Sequence, residues 1–317
     1  MIHAQNLVRR FELKNETVHA VRGVDVDVAP GEVVAFLGPN GAGKSTTLRM
    51  LTTLLPPSDG TATVAGFDIR NEPVEVRRRI GHIGQGNGSF DGLRVQEELQ
   101  IQGRFYGLDR GTARVRAREL LDQLDLSEQA DRDVARLSGG QRRRLDVAMG
   151  LIHRPQLIFL DEPSSGLDPQ SRANLLEHIR RLHRQEDVTI FLTTHYLDEA
   201  DAVAQRVVVI DDGRIIADGT PDQLKSKVSG DLITVTLQGP EDLPTAAEVA
   251  GRIPTAHEIE PGSDRVAFRV EHGDTAMPEL IRALDAAGLV MRGAHVQRPT
   301  LDDVFLNLTG RSLRDED

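Results

Sequence analysis

The sequence predicts an α/β fold built on a parallel sheet, on three observations. Short apolar runs, Val33-Val34-Ala35-Phe36-Leu37, Leu157-Ile158-Phe159-Leu160 and Val188-Thr189-Ile190-Phe191-Leu192-Thr193-Thr194, have the length and composition of strands buried on both faces. Each ends abruptly in glycine, acidic or polar residues, and a helical pattern follows the first two, which is the alternation of an α/β core. Between the first run and the helix-like Thr47-Leu48-Arg49-Met50-Leu51 lies Gly38-Pro39-Asn40-Gly41-Ala42-Gly43-Lys44-Ser45-Thr46, a glycine-rich loop in a strand–loop–helix setting.

The elements follow in order. Residues 1 to 37 alternate as antiparallel strands do, with strict period two over Val24–Val28, and Ala29-Pro30-Gly31-Glu32 turns the chain into Val33–Leu37. In the loop that follows, Gly38, Gly41 and Gly43 let the backbone turn so tightly that successive N–H groups point inward at phosphate oxygens. A helix beginning near Lys44 adds its positive end. Lys44 is one of four lysines in a chain that otherwise uses arginine. A compact ammonium fits beside β- and γ-phosphates where a planar guanidinium is too large. Ser45 offers a hydroxyl to Mg²⁺. The loop implies a bound nucleoside triphosphate.

Pro56–Gly60 ends the first helix, Thr61–Val64 returns as a strand, and Arg79–Gln85 reads as another short strand. Residues 86–92 are glycine-rich and polar. Helical periodicity occupies 94–106 and 111–126, a helical insertion of about 86–136 within the core. Leu137-Ser138-Gly139-Gly140-Gln141 leads into a helix over 140–153, and Leu157–Leu160 delivers Asp161 and Glu162. Asp168 is placed to cap the next helix. The strand at 188–194 delivers His195 at its carboxyl end, where ligands of open α/β sheets sit, and 207–218 reads as a hairpin around Asp212-Gly213. Beyond Gly219, strand 231–238, helix 241–251, strands 255–260 and 265–270, helix 275–287 and strand 289–296 give a β-α-β-β-α-β order, a ferredoxin-like module. A terminal helix at 300–308 precedes a charged tail, 311–317.

Length and composition narrow the function. At 317 residues two domains are expected. A net charge of −11 argues against a broad nucleic-acid footprint. The basic clusters Arg77-Arg78-Arg79 and Arg142-Arg143-Arg144 are short, and read as solvated helix faces or local ion pairs. The chain has no cysteine, which removes disulfides, thiolate metal sites and cysteine nucleophiles. The amino terminus lacks a basic start followed by an apolar stretch. No apolar run approaches the roughly 18 residues of a membrane span. A soluble, cytoplasmic polypeptide is expected.

The run at 137–141 decides among phosphate-loop proteins. Its glycines open a helix and expose N–H groups, with the Ser138 hydroxyl beside them, so it is a second phosphate-binding terminus. Two such termini on one chain suggest that one serves a nucleotide held by another copy. With the loop at 38–46, Gln85, residues 137–141, the strand ending at Asp161, Glu162, Ser165–Asp168 and His195 in this order, the chain resembles the ATP-binding cassette (ABC) family, the ATPase subunits of ABC transporters. Thr193–Asp201 and Leu301–Gly310 make it similar to the daunorubicin-resistance type of drug-export ATPase, over essentially the whole length.

The resemblance implies a P-loop ABC cassette over residues 1–225 (α/β core, antiparallel β subdomain, helical subdomain) and a small α+β domain over 231–317. It implies ATP and Mg²⁺ as ligands, Glu162 as general base, His195 at the γ-phosphate, Gln85 between Mg²⁺ and water, and Ser45 and Asp161 on the metal. Phe11 falls at the family's adenine-stacking aromatic, where tyrosine is commoner, and Asp168 acts across a dimer. The remaining loop residues, Pro39, Asn40, Ala42 and Thr46, and the second terminus, Ser138, Gly139, Gly140 and Gln141, bind nucleotide. The implied partners are a second copy in a head-to-tail ATP sandwich and an ABC-2 type transmembrane permease, on the cytoplasmic face of the membrane, with no nucleic acid. The family usually shows Leu-Thr and then Glu-Asn after the glutamine. Leu93-Arg94-Val95-Gln96-Glu97-Glu98 departs from this where the family faces its membrane subunit. A lipid or polysaccharide exporter is the alternative. A ribosome-acting cassette protein would carry two cassettes, and a DNA-repair cassette would need a coiled coil for which Lys44–Leu137 leaves no space. The second domain has no glycine phosphate loop and no acid pair at a strand end (Asp302 and Asp303 read as amino-terminal charges of the last helix), and His257, His272 and His295 are scattered, so it is assigned to dimer contacts or regulation.

Overall fold

A computed structural model describes residues 1–14, 16–86, 88–226 and 230–310; the charged tail expected at 311–317 lies outside them. These residues divide into two compact units, the first Met1–Pro221 and the second beginning at Asp222.

The first unit runs β1 (Ile2–Glu12), β2 (Thr17–Val28), β3 (Val33–Leu37), α1 (Lys44–Leu51), β4 (Asp59–Val64), β5 (Phe67–Asp68), α2 (Pro73–Arg79), β6 (Ile80–Ile83), α3 (Val95–Phe105), α4 (Arg110–Gln123), α5 (Gly139–Leu151), β7 (Leu157–Asp161), α6 (Pro169–Glu186), β8 (Thr189–Thr194), α7 (Leu197–Val203), β9 (Arg206–Asp211) and β10 (Arg214–Gly219). A short helix, α8 (Pro221–Lys225), follows. Strands β2-β1-β4-β5 make an antiparallel sheet. Strands β10-β9-β3-β8-β7-β6 make the central sheet, parallel except for β10. The two sheets share one core. In it Val24, Val26 and Val28 of β2 and Leu48 and Leu51 of α1 join Phe36, Phe159 and Phe191 of three adjacent central strands. The Phe191 ring centroid lies 5.5 Å from that of Phe36 and 5.6 Å from that of Phe159. Helices α2 and α7 have no counterpart in the sequence expectation; at seven residues each, two turns are too short to show a periodic stripe.

Register does the work of assembling the site. Leu37 pairs with Thr194, Asp161 with Thr193, and Leu160 with Ile83. The carboxyl ends of β3, β8, β7 and β6 therefore lie side by side, and everything that follows those strands is delivered to one edge.

The second unit holds β11 (Asp231–Leu237), α9 (Leu243–Ala250), β12 (His257–Pro261), β13 (Arg265–Val270), α10 (Gly273–Ala286), β14 (Met291–Gln297) and α11 (Leu301–Thr309). Its strands pair antiparallel in the order β12-β13-β11-β14, which is ferredoxin-like. Ile233, Val235, Leu237, Val266, Phe268 and Val270 supply the face on which α9 and α10 pack. Thr300 and Asp303 cap α11 reciprocally: Thr300 Oγ1 accepts from Asp303 N at 3.3 Å, and Asp303 Oδ2 from Thr300 N at 2.8 Å.

One close contact fixes α5 over the central sheet. A Cβ on Gly81 of β6 would sit 2.3 Å from the carbonyl oxygen of Gly150, and one on Gly150 2.5 Å from Ile83 Cδ1. Helix and strand thus touch backbone to backbone. Gly81→Ala is expected to destabilise the unit by about 1–3 kcal/mol, the range for overpacking a core. Urea unfolding checks this; an unchanged midpoint would show that α5 has room to move off β6.

Candidate active site

The glycine-rich loop bends between β3 and α1 under two constraints at Gly43. Its φ of +102° is left-handed, and a Cβ there would stand 2.5 Å from the carbonyl oxygen of Ala20 on β2; only glycine meets both. Gly43 is the N-cap of α1 with no side chain covering the helix terminus. Lys44 is buried, 4% exposed. Its ammonium donates to the carbonyls of Gly38 at 2.8 Å and Pro39 at 2.9 Å, and stands 3.4 Å from Glu162 Oε1.

The neighbouring strand ends converge on it. Asp161, 2% exposed, accepts at Oδ1 from Ser45 Oγ at 2.8 Å and from Thr193 Oγ1 at 2.7 Å. Gln85, two residues past β6, donates from Nε2 to Ser45 Oγ at 3.0 Å. Glu162 has a left-handed φ of +47°. Its N–H donates to the Thr193 carbonyl at 3.1 Å and to Thr193 Oγ1 at 3.0 Å, which holds the strained turn in place. Glu162 Oε2 lies 3.3 Å from His195 Nδ1. His195, and after it Lys44, draw the Glu162 carboxyl below the ordinary carboxylate value, against burial that pushes it up. The result is an ionised carboxylate between the His195 imidazole and the Lys44 ammonium, disposed to accept a proton from water.

The second terminus stands at the start of α5. Ser138 caps it: its hydroxyl accepts from Gln141 N at 3.3 Å, and Gln141 Oε1 accepts from Ser138 N at 3.0 Å. A Cβ on Gly140 would lie 2.8 Å from Ser171 Oγ at the start of α6. Asp168 caps α6, accepting from Ser171 N at 3.0 Å, and the Ser171 hydroxyl, with that N–H after it, holds its carboxyl below its ordinary value.

Phe11 lies on β1 opposite Val18 of β2, two residues before the Ala20 carbonyl that meets Gly43. Its ring carries the Arg9 guanidinium, 4.7 Å from the centroid.

Three contributors have no role assigned to them in the motif reading. Thr193 serves both Asp161 and Glu162; polar side chains at the end of an apolar strand are the signal that marks it. Glu199 of α7 is buried and bonds Thr194, the residue before His195, and burial pushes its carboxyl up. Arg143 corrects the sequence expectation for its cluster. It is buried, because it lies one turn before Asp146 and Val147 on the inward stripe of α5.

Among the described residues no helix is long and apolar enough to cross a membrane. The family model for ABC transporters matches residues 21–165, and the model for the C-terminal domain of ATP-binding proteins like DrrA1-3 matches 219–309. The chain is 44% identical to the daunorubicin resistance ATP-binding protein DrrA2 of Streptomyces coeruleorubidus, over 98% of this chain and 95% of that one. It is 39% identical to the doxorubicin resistance ATP-binding protein DrrA of Mycobacterium tuberculosis, over 96% and 92%. Among solved structures it is similar to the ATP-binding cassette MJ0796 in a dimeric post-hydrolysis state bound to ADP and Pi, with a TM-score of 0.64, 25% identity, and coverage of 69% of this chain and 98% of that one. With the ABC transporter model on the first unit and near-full-length identity to these ATP-binding proteins, the chain belongs to the ABC transporter family as one of its ATP-hydrolysing subunits.

Proposed function

We propose that the chain energises export of a hydrophobic drug through a separate membrane subunit of the ABC-2 type, from the cytoplasmic face of the membrane, as a head-to-tail dimer around two ATP molecules. Residues 1–225 form the ATP-binding domain, and 231–317 serve dimer contacts or regulation. The observation that carries the catalytic part is Glu162 held between Lys44 and His195 beside the buried Asp161. The resistance proteins named above support the cargo class.

The loop N–H groups of residues 38–46 and the α1 terminus bind the phosphates, which compete with the Gly38 and Pro39 carbonyls for the Lys44 ammonium. Phe11 stacks on the adenine once Arg9 yields its face. Ser45, Asp161 and Gln85 fit Mg²⁺. All three bear the hard oxygen donors that ion prefers, and Ser45 Oγ and Asp161 Oδ1 are 2.8 Å apart. That is close to the edge of about 2.9 Å for an octahedron with bonds of about 2.0–2.1 Å. Bound there, Mg²⁺ supplies charge neutralisation on the phosphates. Glu162 takes a proton from the attacking water while His195 holds the γ-phosphate and orients the carboxylate. Ser138, Gly139, Gly140 and Gln141, with Asp168 beside them, complete the partner copy's site. Because ATP binds the closed dimer better than the open one, it shifts the population toward closure, and hydrolysis reverses the shift.

Glu162→Gln is expected to lower turnover by roughly 10²–10⁴ with ATP still bound, and to accumulate an ATP-bound dimer. Single-turnover rates near wild type would remove Glu162 from the reaction. Mixing Lys44→Ala with Ser138→Arg subunits is expected to restore activity, since a heterodimer keeps one intact composite site. Activity no greater than the sum of the separate variants, with heterodimers present, would mean each site is self-contained. A third outcome concerns pH. A base held below its ordinary value of 4.5 stays ionised down through that value, so the acid limit of kcat/KM lies below it. His195→Ala removes the largest cause of the depression, and the limit is expected to move upward. A downward or unchanged limit in the pH profile would show that His195 does not set the charge on Glu162.

A further inference from the structure

Arg143 gathers main-chain oxygens from both loops that carry the reaction. Nε donates to the Pro163 carbonyl at 2.7 Å, Nη1 to the Gly84 carbonyl at 2.7 Å, and Nη2 to the Asp161 carbonyl at 3.2 Å, with the Glu162 carbonyl at 3.5 Å. Gly84 precedes Gln85, and the other three are the base Glu162 and its two chain neighbours. Nη1 also stands 3.9 Å from Asp146 Oδ2. Burial lowers the pKa of this arginine and the carboxylates of Asp146 and Asp161 raise it; a guanidinium stays charged across the working range.

The same helix holds the far side of the loop that begins at Gln85. Asp146 Oδ1 accepts from Gly88 N at 3.2 Å and Ser89 N at 3.1 Å. Arg142 donates to the Ser89 carbonyl at 2.7 Å, and pairs with Asp91 at 2.7 Å. Helix α5 therefore grips this loop at both ends, and Arg143 extends the grip to the turn at Glu162. That turn is left-handed at a residue with a side chain, a conformation that persists only when its surroundings over-determine it. Arg143 supplies donors to the carbonyls on both sides of it.

We propose that Arg143 is a positioning residue for hydrolysis, which through the main chain keeps the Glu162 carboxylate and Gln85 in fixed relation to helix α5. Since α5 opens with the terminus assigned above to the partner's nucleotide, engagement of that terminus is transmitted to the base on the same chain. The inference rests on Glu162 being the base. A lysine places one point donor where the guanidinium fork reaches three carbonyls, so Arg143→Lys is not conservative here.

The test is a double-mutant cycle on the full-length chain. Arg143→Lys and Arg143→Gln are expected to bind ATP within about twofold of wild type and to lose roughly 10²-fold in single-turnover rate, the scale of a misplaced catalytic group. Acting through Glu162, the double variant Glu162→Gln/Arg143→Lys is expected to be no slower than Glu162→Gln alone. Additive losses, parallel loss of ATP binding, an unchanged rate in either folded variant, or failure of both to fold would each overturn the role. Glu162→Gln at wild-type speed would instead overturn the base assignment itself, so the two failures are told apart.

Discussion

One buried carboxylate holds the site together. Asp161 accepts from Ser45 and Thr193, and Ser45 in turn accepts from Gln85. That short chain of hydrogen bonds joins the ends of β6, β7 and β8 to the first turn of α1. A carboxylate this deep is tolerable only with donors on it, because an unsatisfied buried acceptor costs about 1–3 kcal/mol and a charged one more. The donors come from residues that the strand register has already brought to one edge. Geometry and electrostatics therefore enforce each other: a register slip would strip Asp161 of its partners, and loss of a partner would loosen the register's payload.

Charge around this point is arranged as a set. Lys44 is buried; the Gly38 and Pro39 carbonyls accept from its ammonium and Glu162 Oε1 stands slightly farther off. Glu162 shows the complementary compromise. Its main chain is strained and tightly bonded, while its carboxylate lies between His195 and Lys44 and keeps a proton-accepting form. The strain sits in the backbone, where Thr193 can offset it.

Much of this was legible because the chemistry fixes residue types at fixed spacing. A loop that wraps phosphate must be glycine-rich and must end in lysine, and wholly apolar five-residue runs have few alternatives to a buried parallel strand. The alternation of 231–237 was equally plain, since Ile233, Val235 and Leu237 all face one core. The unread parts depend on tertiary approach. Gly81 and Gly150 look like ordinary small residues until β6 and α5 touch. Arg143 stands in a run of three like residues, and only the phase of the helix sends the middle one inward while Arg142 reaches Asp91. Composition sees three solvated charges; packing converts one into a buried donor. Phe11 was readable as an aromatic near the loop, but its cover by Arg9 was not, since a cation–π contact along one strand leaves no periodic trace.

The α1 and α5 termini differ in a way that bears on the dimer proposed above. At α1 the N-cap is a glycine with no side chain to compete, and a buried ammonium adds full charge. At α5, Ser138 and Gln141 already satisfy each other's N–H groups, leaving the N–H groups of Gly139 and Gly140 and the helix dipole for an anion. A dipole end without a cation contributes about 0.3–1 kcal/mol at an exposed position, too little to hold a nucleotide alone. The second terminus can therefore complete a site whose affinity is set elsewhere, and it adds most when the phosphate is presented already bound. In the proposed dimer, tight capture by the phosphate loop and weak closure by α5 is the division that would let it form on ATP binding and come apart when the γ-phosphate is lost.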